Sequence, residues 1–290
     1  MAAFIQRVDA AERGFLWLDD ADYSAALLAG ADAPWLDATA FVAWRRKAHS
    51  LLKPDVVTLP VAKVCAAWLV QDPALRLAMG SRSRVNFPLK TLLASAPLRQ
   101  HLIEMLIGMR SSFPGLTLAL VCPSPRAWVI EAYRRAFEPA AAIAVGEDEV
   151  DAATLHCADF FREFATASVD SVLLEESNGE EPKDASELEW YRAVLNVGAH
   201  YRWDMGLHLP GTRFAGDLGD AAARDGGGGF AFVIASRAFD APCVGRIIPE
   251  QFWSSGAADT LPHADFRFSK IPLGIPPEVI LDRLSAARQP

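Results

Sequence analysis

What most constrains this chain is a recurrence along its whole length. Short runs rich in Val, Leu or Phe alternate with amphipathic segments that open with helix-capping chemistry. The clearest run is Leu116-Thr-Leu-Ala-Leu-Val-Cys122, which stops at Pro123; Ser124 and Pro125 then read as an N-cap followed by proline in the first helical position. Asp37 similarly precedes Phe41, Trp44, Ala48 and Leu51 at helical spacing, Asp151 opens a helix through Phe164, and Ser186 with Glu189 is spaced as a capping box. His200 to His208 reads as a strand, and Pro276-Pro277 opens a terminal helix. Apolar strands separated by helices specify a parallel sheet covered on both faces. Strand starts near residues 14, 55, 116, 169, 200, 230, 243 and 266 number about eight.

Eight such units within 290 residues fit a (β/α)8 barrel, which needs roughly 250 residues. A doubly wound open sheet is the rival architecture. Its first strand usually leads into a glycine fingerprint, whereas here Asp19-Asp20-Ala21-Asp22 follows. The expectation is therefore an α/β chain forming one TIM-type barrel domain over residues 1–290.

Charge and composition narrow the function. With 28 Lys+Arg against 36 Asp+Glu, a formal charge of −8 and 51% hydrophobic residues, the chain has material for a core and no basic face for nucleic acid. No apolar run approaches the roughly 18–20 residues that cross a bilayer. Arg7, Asp9, Glu12 and Arg13 do not fit a signal peptide, so a cytoplasmic protein is expected. The cysteines, Cys65, Cys122, Cys157 and Cys243, lie far apart and read as thiols. The implied partner is a small-molecule substrate, with no nucleic acid and no membrane; a homodimer is the default assembly.

In a barrel of this kind catalytic side chains project from the C-terminal ends of strands. Those ends supply Asp19 and Asp20, Lys63, Cys122, Glu175 and Glu176, Asp204 and His208, and Arg237. Asp19 is a candidate general base, with a turn cap as the alternative. Because strand side chains alternate, only one of Glu175 and Glu176 points inward. His208 is a candidate proton shuttle, or an imidazole merely bonded to backbone beside the Pro210-Gly211 turn. Arg202, Asp204 and His208 share one strand face, and Tyr201 the other. Arg82 and Arg84 are a candidate carboxylate clamp, with plain surface solvation as the competing reading. Gly226 to Gly229 read as a loop over the mouth or as an ordinary surface loop.

Several segments together resemble a known family. Cys122-Pro-Ser-Pro before a helix, Phe160-Phe-Arg-Glu-Phe164, Val169-Asp-Ser-Val-Leu-Leu-Glu-Glu176 and Pro276-Pro-Glu-Val-Ile-Leu281 are similar to segments of the uroporphyrinogen decarboxylase and cobalamin-independent methionine synthase superfamily, over about residues 110 to 285. That resemblance implies a barrel with its site at the C-terminal mouth, and decarboxylation of acidic tetrapyrroles or zinc-dependent methyl transfer to thiols. The chain departs from both branches. His208 is followed by Leu209-Pro210, no cysteine follows Cys243, and the start is not Arg-rich in the way the decarboxylase branch requires.

Three readings follow. The first is a barrel enzyme acting on a small polar or aromatic-carboxylate metabolite by acid–base lyase, decarboxylation or group-transfer chemistry. Asp19, Glu175 and His208 are then catalytic, and Asp20, Lys63, Arg82, Arg84, Cys122, Glu176, Tyr201, Asp204 and Arg237 bind substrate. The second is a zinc-dependent methyltransferase, with His208, Glu175 and Cys122 as candidate ligands although a full set is not visible. The third is a non-catalytic barrel that binds a small ligand or a partner protein.

Overall fold

The computed structural model describes residues 3–30, 33–137, 143–222, 228–237, 239–255, 261 and 264–288. Among the described residues eight strands appear, all but β5 starting within about two residues of the expected positions: β1 (Leu16–Asp19), β2 (Val56–Pro60), β3 (Thr117–Pro123), β4 (Ser171–Glu175), β5 (Asp204–Leu209), β6 (Phe230–Ala235), β7 (Val244–Ile247) and β8 (Phe266–Lys270). All pair in parallel in the order β1-β8-β7-β6-β5-β4-β3-β2. The two ends of that order meet at a narrow seam. There the Asp55 N–H donates to the Leu16 carbonyl and the Leu16 N–H donates to the Asp55 carboxylate, each at 2.9 Å. The result is a nearly closed (β/α)8 TIM-type barrel.

Aromatic side chains fill the lower interior, and small residues on neighbouring strands make room for them. Trp17, Phe232, Phe266 and Phe268 pack there with Ala119 and Leu173. A methyl group on Gly206 would sit 2.0 Å from the Phe232 ring, and one on Gly245 would sit 2.4 Å from Phe266. Glycine at those two positions is thus a packing requirement. A short helix that the sequence reading missed, Ala3–Asp9, plugs the N-terminal end of the barrel. Its Phe4 ring lies 4.5 Å from Phe232 and 5.2 Å from Phe266. Such pairs add about 0.5–1.5 kcal/mol each beyond area burial. The larger core lies between the outer sheet face and the surrounding helices, with Leu118, Leu120, Cys122, Val172 and Leu174 facing it.

Local chemistry explains most element starts. The Asp37 carboxylate accepts the Ala40 N–H at 2.9 Å, and the Ser124 hydroxyl accepts the Ala127 N–H at 3.1 Å. Two caps differ from expectation. Asp184, not Ser186, caps its helix and accepts the Ser186 N–H. The helix expected from Asp151 begins at Glu147, with the Glu149 carboxylate taking the Gly146 N–H. The largest correction concerns His200 to Trp203. His200 and Tyr201 end the helix Arg192–Tyr201, and Arg202 breaks it in the left-handed conformation (φ 60°), so strand β5 begins only at Asp204. Gly226 and Gly227 lie outside the described residues; Gly228 and Gly229 lead into β6. Among the described residues no helix is long and apolar enough to cross a membrane.

Candidate active site

A cavity of about 550 Å³ opens at the C-terminal end of the barrel. Strand alternation decides which side chains reach it. In β1, Trp17 and Asp19 point inward, as do Phe268 and Lys270 in β8, Leu173 and Glu175 in β4, and His208 in β5. Trp17, Val121, Leu173 and Phe268 form an apolar floor. Lys63, from the helix that follows β2 directly, joins the rim with Glu131 and Arg135 of the helix Pro125–Ala136. Asp19, Glu175, His208 and Lys63, far apart in sequence, therefore share one opening.

The registers bring Glu175 and His208 side by side on β4 and β5. Glu175 Oε1 lies 3.2 Å from His208 Nδ1, and the imidazole packs on Phe268 with ring centroids 5.0 Å apart. An Nδ1–H donated to that carboxylate leaves Nε2 with its lone pair. On β1, burial raises the Asp19 carboxyl above the usual carboxylate range, and the Glu175 charge adds to the effect. Beside it, Asp22 bridges two ammonium groups, with Lys63 Nζ at 2.5 Å and Lys270 Nζ at 3.2 Å. Burial would raise Asp22, but the hydrogen bond and charge of Lys63, then those of Lys270, hold it below its ordinary value. Burial would likewise lower Lys270, and the nearby Asp19 and Asp22 carboxylates reverse that and raise it. Lys63 is a third exposed and Lys270 more so.

The other expected residues lie elsewhere. Asp20, one step past Asp19, points away from the barrel into a buried two-pronged ion pair with Arg45, at 2.9 and 3.1 Å. Cys122 faces the outer core, and burial pushes its thiol well above the usual value. Glu176 faces outward beneath the rim and is buried. Its two oxygens accept hydrogen bonds from Tyr191 Oη at 2.6 Å and Ser124 Oγ at 2.8 Å. Burial lifts this carboxyl to about 7 despite those donors. Asp204 does share the inward face with His208, as expected, but at the opposite end of β5. There it accepts the N–H groups of Phe4 and Ile5 at 3.0 Å each. Tyr201 is also at that end, on a helix terminus, stacked near Trp203. Arg82 and Arg84 are exposed on a turn, where Arg82 lies over the Phe87 ring, and Arg237 is exposed beyond β6.

Lys270, Glu131 and Arg135 escaped the sequence reading. Lys270 is the last residue of β8, and a sharper boundary for that strand would have exposed it. Glu131 and Arg135 come from a helix, which no strand-end rule reaches.

The zinc reading finds no matching donor set. Tetrahedral zinc takes three or four converging ligands. Among the described residues no group of three or more His, Cys, Asp or Glu converges in that way, and the Cys122 thiol lies on the far side of the sheet from His208.

No protein-family model matches this chain, and no curated protein does. Among solved structures it is similar to a methyltransferase from Methanosarcina mazei, with a TM-score of 0.57 and 14% identity over 96% of this chain and 94% of that one. At that identity the likeness establishes the shared barrel fold.

Proposed function

We propose that this mouth is the active site of an acid–base enzyme acting on a small carboxylate with an aromatic or apolar body. The observation that carries the reading is the 3.2 Å contact between Glu175 and His208 inside the cavity that also holds Asp19. Glu175 fixes the ring orientation and tautomer of His208, so Nε2 serves as proton acceptor. Asp19, kept protonated more readily than a free carboxylate, is the matching donor. Two acid–base groups in different electrostatic settings are what proton removal at one position and return at another require. Lys63 and Lys270 take the substrate carboxylate, while Trp17 and Phe268 take its body.

Lyase or decarboxylation chemistry fits this division best. A carboxylate held by lysines can leave as carbon dioxide when the carbon it leaves receives a proton from Asp19. The resemblance to the uroporphyrinogen decarboxylase and methionine synthase superfamily supports the same class, and the methyl-transfer branch is disfavoured by the missing zinc donors.

The test is a panel of aromatic and 2-oxo carboxylates incubated in D2O, with deuterium incorporation and carbon dioxide release followed by NMR. Turnover of at least one member, lost on Glu175→Gln by about 10²-fold or more, is expected. No turnover across the panel, or full turnover in the variant, defeats the reading.

A further inference from the structure

A second groove of about 510 Å³ adjoins the catalytic cavity and shares Ala66, Glu131 and Arg135 with it. It runs from Ser177, two residues past Glu175, outward between the helices Val61–Gln71, Pro73–Met79 and Pro125–Ala136. The helix Pro125–Ala136 presents Ala127, Ile130, Glu131 and Arg134 to it, which is the spacing of one helical face. That stripe is apolar at Ala127 and Ile130 and charged, with both signs, at Glu131 and Arg134.

Three arginines, Arg76, Arg134 and Arg135, line the groove against one carboxylate, Glu131. Arg135 places both Nε and Nη2 on the same Glu131 oxygen. Arg134 pairs with Glu180 at 2.8 Å in a contact about a third exposed, a type worth at most about 1 kcal/mol. Arg76 spends only its Nε, on the Arg135 carbonyl at 3.3 Å, and its two terminal nitrogens have no partner among the described residues. Planar guanidinium groups with spare donors are suited to a carboxylate or phosphate.

We infer that the substrate is two-ended, with its reacting end over Glu175 and His208 and a second anionic group held by Arg76 and Arg134 across an apolar spacer lying on Ala127 and Ile130. The inference rests on the acid–base reading only for which end reacts.

The experiment titrates the intact protein with unbranched α,ω-dicarboxylic acids of increasing length, each against the monocarboxylic acid of equal length. At one range of lengths the diacid binds about tenfold or more tighter, and the ratio falls to near one in R76Q/R134Q. Phosphonoalkanoates of the same lengths form the second arm. Tighter binding than the diacid assigns a phosphate-type tail, weaker binding a carboxylate tail, and either preference must vanish in the double variant. If no length favours the diacid, or if the preference survives R76Q/R134Q, the subsite is overturned. Glu175→Gln separates the two claims. Turnover that survives it defeats the acid–base reading while an arginine-dependent diacid preference still stands. A missing diacid preference beside Glu175-dependent turnover defeats only the subsite.

Discussion

The two ends of the barrel hold the same residue types in opposite circumstances. At the N-terminal end, Asp55, Asp170 and Asp265 each stand just before a strand and accept an N–H from the neighbouring strand, from Leu16 at 2.9 Å, Leu118 at 2.8 Å and Val244 at 2.7 Å. Arginines then complete two of these sites, Arg13 and Arg288 on Asp55, and Arg110 on Asp170. At the C-terminal end, no hydrogen-bond donor among the described residues reaches the Asp19 carboxyl, and Glu175 meets only His208. Donor supply, not the acid itself, separates a fastening from a carboxyl left open to the cavity. A carboxylate surrounded by N–H groups has its lone pairs occupied, whereas one left short of donors keeps them free for a ligand.

The sharpest way to break this contrast is His208→Ala, which should lower turnover by about 10²–10⁴-fold while moving the melting temperature by no more than about 2 °C. A large loss of stability with intact turnover would place His208 among the fastenings. Next in size is Glu176→Gln. The folded carboxyl titrates at about 7 against 4.5 for an ordinary glutamate, so the folded state keeps a proton that the unfolded chain releases. That contribution is fully present below pH 4.5 and is lost as pH rises through about 7, a change of about 3 kcal/mol. Urea unfolding from pH 4 to 8 should show this decline in the wild type and a flatter profile in the glutamine variant. Asp55→Ala is the counterpart at the other end. It should cost about 2 kcal/mol in the same assay, with turnover per folded molecule unchanged.

Asp19→Asn sharpens the comparison by its sign. Because the folded pKa is raised, ionised Asp19 weakens the fold as pH climbs through that value. The asparagine variant should therefore melt higher than wild type at neutral pH, with the advantage gone below pH 3.8, and should turn over poorly. Calorimetry at two pH values decides it. The smallest effect belongs to Lys63→Ala, which should change stability by less than about 1 kcal/mol because the Lys63–Asp22 pair is a third exposed. Its measurable consequence is a higher KM for the carboxylate substrate.

The barrel was legible because its signal is repeated. Eight apolar runs with caps between them survive a misplaced boundary here or there. The site was legible where alternation and strand ends agree, which is why Asp19, Glu175 and His208 emerged together. Asp204 shows the limit. Its parity was read correctly, yet a strand start set four residues early moved it from the floor to the mouth. Tyr201 failed for the same reason, since a helix end and a strand start are both apolar and aromatic here. Cys122, Asp20 and Glu176 failed differently, because each neighbours an inward residue and alternation alone turns it outward. The groove beside the mouth was invisible, being assembled from helix faces whose spacing also describes ordinary core packing.

The seam between β1 and β2 has a dynamic consequence. Seven of the junctions around the ring are ladders of several backbone pairs, whereas this one rests on Asp55 and Leu16. Thermal breathing of the cylinder should start there, and amide exchange should be fastest along the edges of β1 and β2 that face each other. Asp19 rides on β1 while Glu175 and His208 stand on β4 and β5, so each such fluctuation moves one side of the mouth relative to the other without disturbing the helical shell.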